Sequence, residues 1–228
     1  MALESLLLSR DAQVIRVLRP TLEKLSIDVE VCRGVSSGTE ILSNEKFDAV
    51  IVDCDDLQGG LDVLAGLRKG TSNRNSVMFA ILNGTTTTHR AFELGANFVL
   101  QKPISVLNAT RCFGAALGFM ARERRRYFRQ PIAVPLTILL GAGKELKATS
   151  TNVSEGGMAV RVKGKTLKGG ISKVMFTLPG MKMSMEPKAE LAWADDKGYV
   201  GIRFLDVPQS SREQLESWIA EQMQAAVE

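Results

Sequence analysis

The chain has 228 residues, of which 45% are hydrophobic and 24% charged, with a net charge of +4. That length predicts two domains, each able to bury a core. A single histidine, His89, leaves histidine-based triads and zinc sites poorly supplied, and Cys32, Cys54 and Cys112 are scattered without metal or redox spacing.

No apolar run is long enough to span a membrane, and Met1-Ala2-Leu3-Glu4 lacks the basic start and cleavage site of a leader. The reading is a cytoplasmic protein without membrane insertion. Charge is unevenly spread. Residues 1–118 carry 12 Lys and Arg against 13 Asp and Glu, whereas residues 119–228 carry 17 against 12. The net is −1 in the first part and +5 in the second, so an anionic ligand is expected in the second.

The N-terminal half alternates strand and helix. Leu6-Leu7-Leu8 is a short apolar run, and residues 9–25 show helical periodicity. Strand-like stretches follow at 27–32, 49–52, 77–82 and 98–100, with helices between them at 36–42, 61–67 and 86–94. His89 reads as a surface position on the last of these helices. Ala49-Val50-Ile51-Val52 is apolar on both faces, as a central parallel strand should be. Such alternation predicts a doubly wound parallel sheet. A further helix over 105–122 closes this half, and the domain boundary is expected between residues 121 and 122.

Asp48-Ala49-Val50-Ile51-Val52-Asp53, together with Gly95-Ala96 and Lys102-Pro103, resembles the response-regulator receiver family. The resemblance implies a phosphoacceptor at Asp53. The sequence departs from the family at Ser9 and Arg10, where the magnesium-holding acidic pair is expected, and at Ile81, where a Ser or Thr is expected. Phosphoryl transfer needs a divalent cation to offset charge on the phosphate. The expectation is therefore a degenerate receiver that binds no metal, with Arg10 beside Asp53 and with Asp53 as a structural remnant paired to Lys102.

The helix runs without a Gly, Ser or Pro linker into Arg124-Arg125-Arg126-Tyr127-Phe128-Arg129, four arginines and two aromatics in six residues. This is read as a loop, with Pro131 and Pro135 punctuating the entry to a β-rich half. Strands are predicted at 133–140, 144–153, 158–162, 172–178, 183–193 and 199–204. Turns are predicted at Gly141-Ala142-Gly143, Lys168-Gly169-Gly170, Pro179-Gly180 and Asp195-Asp196-Lys197-Gly198. A small closed barrel removes the exposed edges of such a sheet. An amphipathic helix over 208–226 presents Leu215, Ile219 and Met223 to cover the barrel, and Trp193 is expected in the core or at the rim.

Guanidinium groups grip phosphates and stack on flat rings. In Asn152-Val153-Ser154-Glu155-Gly156-Gly157, small polar side chains and glycines permit close approach to an anion or a sugar edge. Together the two runs suit a ligand that is both phosphorylated and aromatic. Arg125 and Arg129, followed by Asn152, Ser154 and Gly157, resemble the two-part signature of the PilZ domain family, over roughly the last hundred residues. The resemblance implies a six-stranded barrel that binds cyclic di-GMP. Arg125 and Arg129 would grip phosphates and stack on guanine, Asn152 and Ser154 would hydrogen-bond the ligand, and Gly157 would allow close passage of the chain. Arg124 and Arg126 stand in second rank.

The function read from the sequence is a cyclic di-GMP receptor, not an enzyme, with a receiver-like domain in front. It would convert binding into domain reorientation or regulation of an unidentified protein partner. Two alternatives are a response regulator driven by phosphorylation of Asp53 and a nucleic-acid-binding regulator using Arg124 to Arg129. The second lacks a helix-turn-helix pattern.

Overall fold

A computed structural model describes residues 3–162 and 170–225. Among the described residues the first element is β1 (Leu3–Leu8). It is followed by α1 (Ala12–Lys24), β2 (Ile27–Cys32), α2 (Val35–Asn44), β3 (Ala49–Asp53) and α3 (Gly60–Leu67). The series continues with β4 (Val77–Leu82), α4 (Thr88–Glu93), β5 (Phe98–Gln101) and α5 (Val106–Tyr127). The five strands are parallel, in the order β2-β1-β3-β4-β5. This is the flavodoxin-like order, whose ligand crevice lies at the carboxyl ends of the strands beside β1 and β3.

Side chains of a strand alternate between faces, and the two cores follow that alternation. Leu6, Leu8, Val50, Val52, Met78 and Ala80 pack on one face with residues of α2, α3 and α4. Leu7, Ile51, Phe79 and Ile81 pack on the other with Val14, Leu18 and Leu22 of α1 and Phe113, Ala116 and Met120 of α5. Each fully buried Leu, Ile or Phe contributes roughly 1.5–3 kcal/mol of transfer free energy, so β3 and β4, buried along their whole length, anchor this unit.

Helix α1 starts later than its periodicity suggested. Asp11 caps it by accepting hydrogen bonds from the Gln13 and Val14 amides, which leaves Ser9 at the mouth of β1. Helix α5 ends later than expected. It runs to Tyr127, so Arg124, Arg125 and Arg126 are helical and not a loop. No Gly or Pro interrupts Ala121 to Tyr127, and arginine is a good helix former that also complements the carboxyl end of the helix dipole. Two ion pairs hold the segment. Glu123, almost fully buried, meets Lys46 at 3.0 Å, and Arg124 meets Asp48 at 2.8 Å. Burial raises the pKa of Asp48, although the Arg124 guanidinium acts the other way.

The chain then forms β6 (Gln130–Pro131), β7 (Pro135–Leu140), β8 (Glu145–Ser154), β9 (Gly157–Val162), β10 (Ile171–Phe176), β11 (Lys188–Ala194), β12 (Tyr199–Asp206) and α6 (Gln209–Ala225). Six antiparallel strands close in the order β7-β10-β11-β12-β9-β8, with β8 returning to β7. Two-residue β6 continues the line of β7 along the same edge of β8, pairing Gln130 with Val153 and Pro131 with Asn152. The barrel core includes Ile138, Val153, Val160, Val174, Phe176, Met185 and Val200, with Leu215 and Ile219 of α6 packed against it and Met223 partly buried.

Trp218 of α6 is buried too, and its indole N–H donates to the Pro179 carbonyl at 3.2 Å. Trp193, one residue from the end of β11, is not in the core. It is 51% exposed, its indole lying against Gly201 of the neighbouring strand, a position where any side chain would collide with the ring. The predicted strand over 183–193 is broken: Met185 makes an isolated bridge to Phe176, and β11 begins only at Lys188. Lys168 and Gly169 of one predicted turn, and Ala226 at the end of the predicted helix, lie outside the described residues.

The chain divides into two compact units that part between Arg124 and Arg125, within α5. Among the described residues no helix is long and apolar enough to cross a membrane.

Candidate functional site

The sequence offers two candidate sites, one in each unit. The candidate ligand site lies in the C-terminal unit and is assembled by β6. Because Gln130 pairs with Val153, Arg129 enters the barrel beside Ser154. Phe128 packs against the barrel core, which anchors the arginine segment from within. One of the two aromatics in the run is thus a structural plug, whereas Tyr127 is 40% exposed.

The turn between β8 and β9 carries the second half of the motif. Asn152, half-buried, accepts a hydrogen bond from the Ala159 amide at 3.3 Å. Ser154 is fully buried, and its hydroxyl donates to the Gly157 carbonyl at 3.0 Å, closing the turn. Gly157 has no positive φ. A side chain there would strike the Ile202 carbonyl oxygen and come within 3.2 Å of the Arg203 Cα, so glycine is required by the approach of β12. Gly156 is exposed, and nothing lies within 4 Å of where its side chain would begin.

The arginines divide by partner. Arg124 meets Asp48 at 2.8 Å and Glu4 at 3.4 Å, within the N-terminal unit. Arg125 donates from Nε to the Glu155 carboxylate at 3.0 Å, within the C-terminal unit. Arg129 is exposed and donates to the carbonyls of Arg126 and Phe128 at 3.0 and 3.3 Å. Arg126 is also exposed. Glu155 belongs to the Asn152-to-Gly157 run and has no role in the sequence reading. An acid placed inside an otherwise anion-binding motif was the signal that could have singled it out.

The second candidate site lies in the N-terminal unit, at the carboxyl ends of β1 and β3. Asp53 is fully buried at the end of β3. Its Oδ2 accepts from the Ser9 hydroxyl at 2.7 Å and from Lys102 Nζ at 2.9 Å. Lys102 also reaches Asp11 at 2.9 Å and Asp56 at 2.5 Å. Burial disfavours the charge on Lys102, but hydrogen bonds to Asp56, Asp11 and Asp53 outweigh it and raise its pKa. The bond to Lys102 in turn lowers the pKa of Asp11.

Arg10 is not beside Asp53 as expected. Its Nε donates to the Arg33 carbonyl at 2.8 Å. Strand β4 ends at Leu82, one residue past Ile81, and both are fully buried aliphatics with no hydroxyl to offer.

The resemblance of the sequence to receivers implies a divalent cation here. Ligand atoms of Asp11, Asp53 and Asp56 lie within 4.8 Å of one another, and Asp53 Oδ1 has no hydrogen-bond partner. Those features favour a cation, but the point shared by the three carboxylates is taken by the Lys102 ammonium. A divalent ion there would face that ammonium at close range, where like charges repel strongly. The residues present do not fit a magnesium site.

Cys54, next to Asp53, is buried, and desolvation pushes its thiol up to about 12. Cys112 is raised to about 11 by the same cause. A thiolate is the reactive form, so neither offers a nucleophile near neutral pH.

Residues 123–221 match the family model of the PilZ domain. Among solved structures, a CheY-like receiver domain protein from Methanospirillum hungatei is similar at 17% identity, covering 54% of this chain and 99% of its own, with a TM-score of 0.47. The chemotaxis response regulator CheY4 of Vibrio cholerae is similar at 15% identity over 51% of this chain and 100% of its own, with a TM-score of 0.47. The Bacillus subtilis inhibitor of motility MotI/DgrA is similar at 19% identity over 45% of this chain and 52% of its own, with a TM-score of 0.38. No curated protein matches the sequence.

Proposed function

We propose that this chain is a cyclic di-GMP receptor: a binding module, not an enzyme, that answers the ligand by reorienting its domains or by regulating a protein partner. One observation carries the reading. The PilZ match over 123–221 contains both halves of the expected signature, and the pairing of β6 with β8 brings Arg129 next to the Asn152-to-Gly157 turn.

Arg125 and Arg129 are the phosphate-gripping residues in this reading. Arg125 sits 3.0 Å from Glu155 of the turn, and Arg129, an exposed residue, donates to the backbone carbonyls of Arg126 and Phe128. Asn152 lines the surface beside them. Arg124 leaves the ligand set, because Asp48 and Glu4 engage it. Ser154 and Gly157 act by shaping the turn, since the serine is fully buried and the glycine faces β12.

In the N-terminal unit, Asp53 serves structure rather than phosphoryl transfer. Its neighbours Ser9 and Lys102 satisfy Oδ2, and no hydroxyl-bearing residue stands at the end of β4. The test is calorimetric titration with cyclic di-GMP, with GTP and a DNA duplex as controls. Saturable binding of the cyclic dinucleotide alone supports the receptor reading. Binding of the duplex alone replaces it with a nucleic-acid regulator.

A further inference from the structure

Glu155 is left over once the ligand set is assigned. We propose that its carboxylate is a built-in counter-anion for Arg125, which a ligand phosphate must displace, and that it thereby sets the affinity of the site. The inference rests on the receptor reading above.

The Arg125 Nε–Glu155 Oε1 contact is 3.0 Å, and the two side chains are 31% and 15% exposed. The pair is therefore only partly screened by water. A guanidinium presents its donors as a fixed planar fork, and Nε belongs to one of the edges with which it makes paired bonds to carboxylate or phosphate. Glu155 takes the Nε donor of that edge.

Its backbone is fixed on both sides. Ser154 is locked by its bond to the Gly157 carbonyl, and Gly157 is pressed against β12. The carboxylate leaves Arg125 by turning its own side-chain torsions, with no movement of the backbone. The α-carbon of exposed Gly156 faces open space, so an incoming anion has room beside the pair.

Two anions cannot share one guanidinium edge, so binding is an exchange. The charge-assisted bond that Glu155 gives up is subtracted from the one the phosphate gains. Removing the carboxylate charge removes that subtraction, so the affinity rises.

The experiment is calorimetric titration of cyclic di-GMP into the whole chain as wild type, Glu155→Gln, Glu155→Ala and Arg125→Ala, with a thermal melt of each. Both Glu155 variants are expected to bind about tenfold more tightly than wild type, equivalent to about 1.4 kcal/mol, while Arg125→Ala weakens binding. Equal or weaker binding in both folded Glu155 variants, with wild-type binding intact and lost in Arg125→Ala, overturns the exchange and leaves the receptor reading standing. Absence of binding in the wild type and both Glu155 variants overturns both.

Discussion

In the proposed receptor Arg125 and Arg129 hold the ligand phosphates, Arg125 beside Glu155 and Arg129 beside the carbonyls of Arg126 and Phe128. If the receptor reading holds, losing either guanidinium removes charge-assisted bonds, each about 1.5–3 kcal/mol. Arg125→Ala and Arg129→Ala should each weaken cyclic di-GMP binding by at least about tenfold in calorimetry. Lysine should rescue either only partly, because it keeps the charge and loses the planar fork. Melting should change little, since partly exposed ion pairs contribute at most about 1 kcal/mol. Binding that survives in the double Arg→Ala variant would remove the assignment.

Asp53 poses the opposite question. Its burial and its partners Ser9 and Lys102 predict that acetyl phosphate with magnesium adds no mass to the intact protein. A stoichiometric adduct that disappears in Asp53→Asn would make the site a working acceptor. The same cluster gives a pH dependence. Lys102 holds the Asp11 carboxyl below its ordinary value of 3.8. A group whose pKa is depressed by folding stabilises above its unfolded pKa and loses that contribution as pH falls through the folded one. Acid titration of thermal stability should therefore show a loss beginning near pH 4 and continuing below it, smaller in Asp11→Asn.

Alternation and turn chemistry made most elements readable in sequence. The all-apolar β3 and the strand-helix rhythm gave the parallel sheet, and the evenly spaced short strands gave the barrel. Three features escaped for physical reasons. Helix α5 continued through the arginines because tertiary ion pairs from Glu123 and Arg124 extend it beyond its apolar stripe. Strand β6 is two residues long and includes a proline, so it has no periodicity to detect. Trp218 shares the buried face of α6 with Leu215 and Ile219, but the Pro179 carbonyl that accepts from its indole is distant in sequence and leaves no local signal.

The β8–β9 turn offers a test, because its two glycines differ. Gly157→Ala forces a methyl against the Ile202 carbonyl, and such overpacking costs typically about 1–3 kcal/mol, visible as a lower melting temperature. Gly156→Ala meets nothing within 4 Å and should leave stability within about 0.5 kcal/mol of wild type. Equal melting losses in the two variants would refute the assigned packing of the turn.

At the scale of the whole molecule, the expected division into two domains rested on the change of pattern near residue 120, and the compact units part at Arg124 and Arg125. Among the described residues the barrel's core draws on residues from Phe128 onward, including Leu215, Trp218 and Ile219 of α6. Among the described residues the sheet's two cores draw on residues up to Met120. A unit with its own closed core should fold alone. A fragment beginning at Phe119 keeps the last turns of α5, all of β6 and the whole β8–β9 turn, so it retains Arg125, Arg129, Glu155 and Asn152 together. It loses Asp48 and Glu4, the partners of Arg124, and with them Lys46, the partner of Glu123. The expected outcome is a cooperative melt and a cyclic di-GMP affinity within about threefold of the whole chain, a difference of about 0.7 kcal/mol. The two quantities are read by calorimetry on the fragment and the whole chain side by side. If the fragment melts cooperatively but binds far more weakly, the fastening of Glu123 and Arg124 presets the arginines for the ligand. If it does not fold, the N-terminal unit supplies part of the barrel's stability and the division into independent domains is wrong.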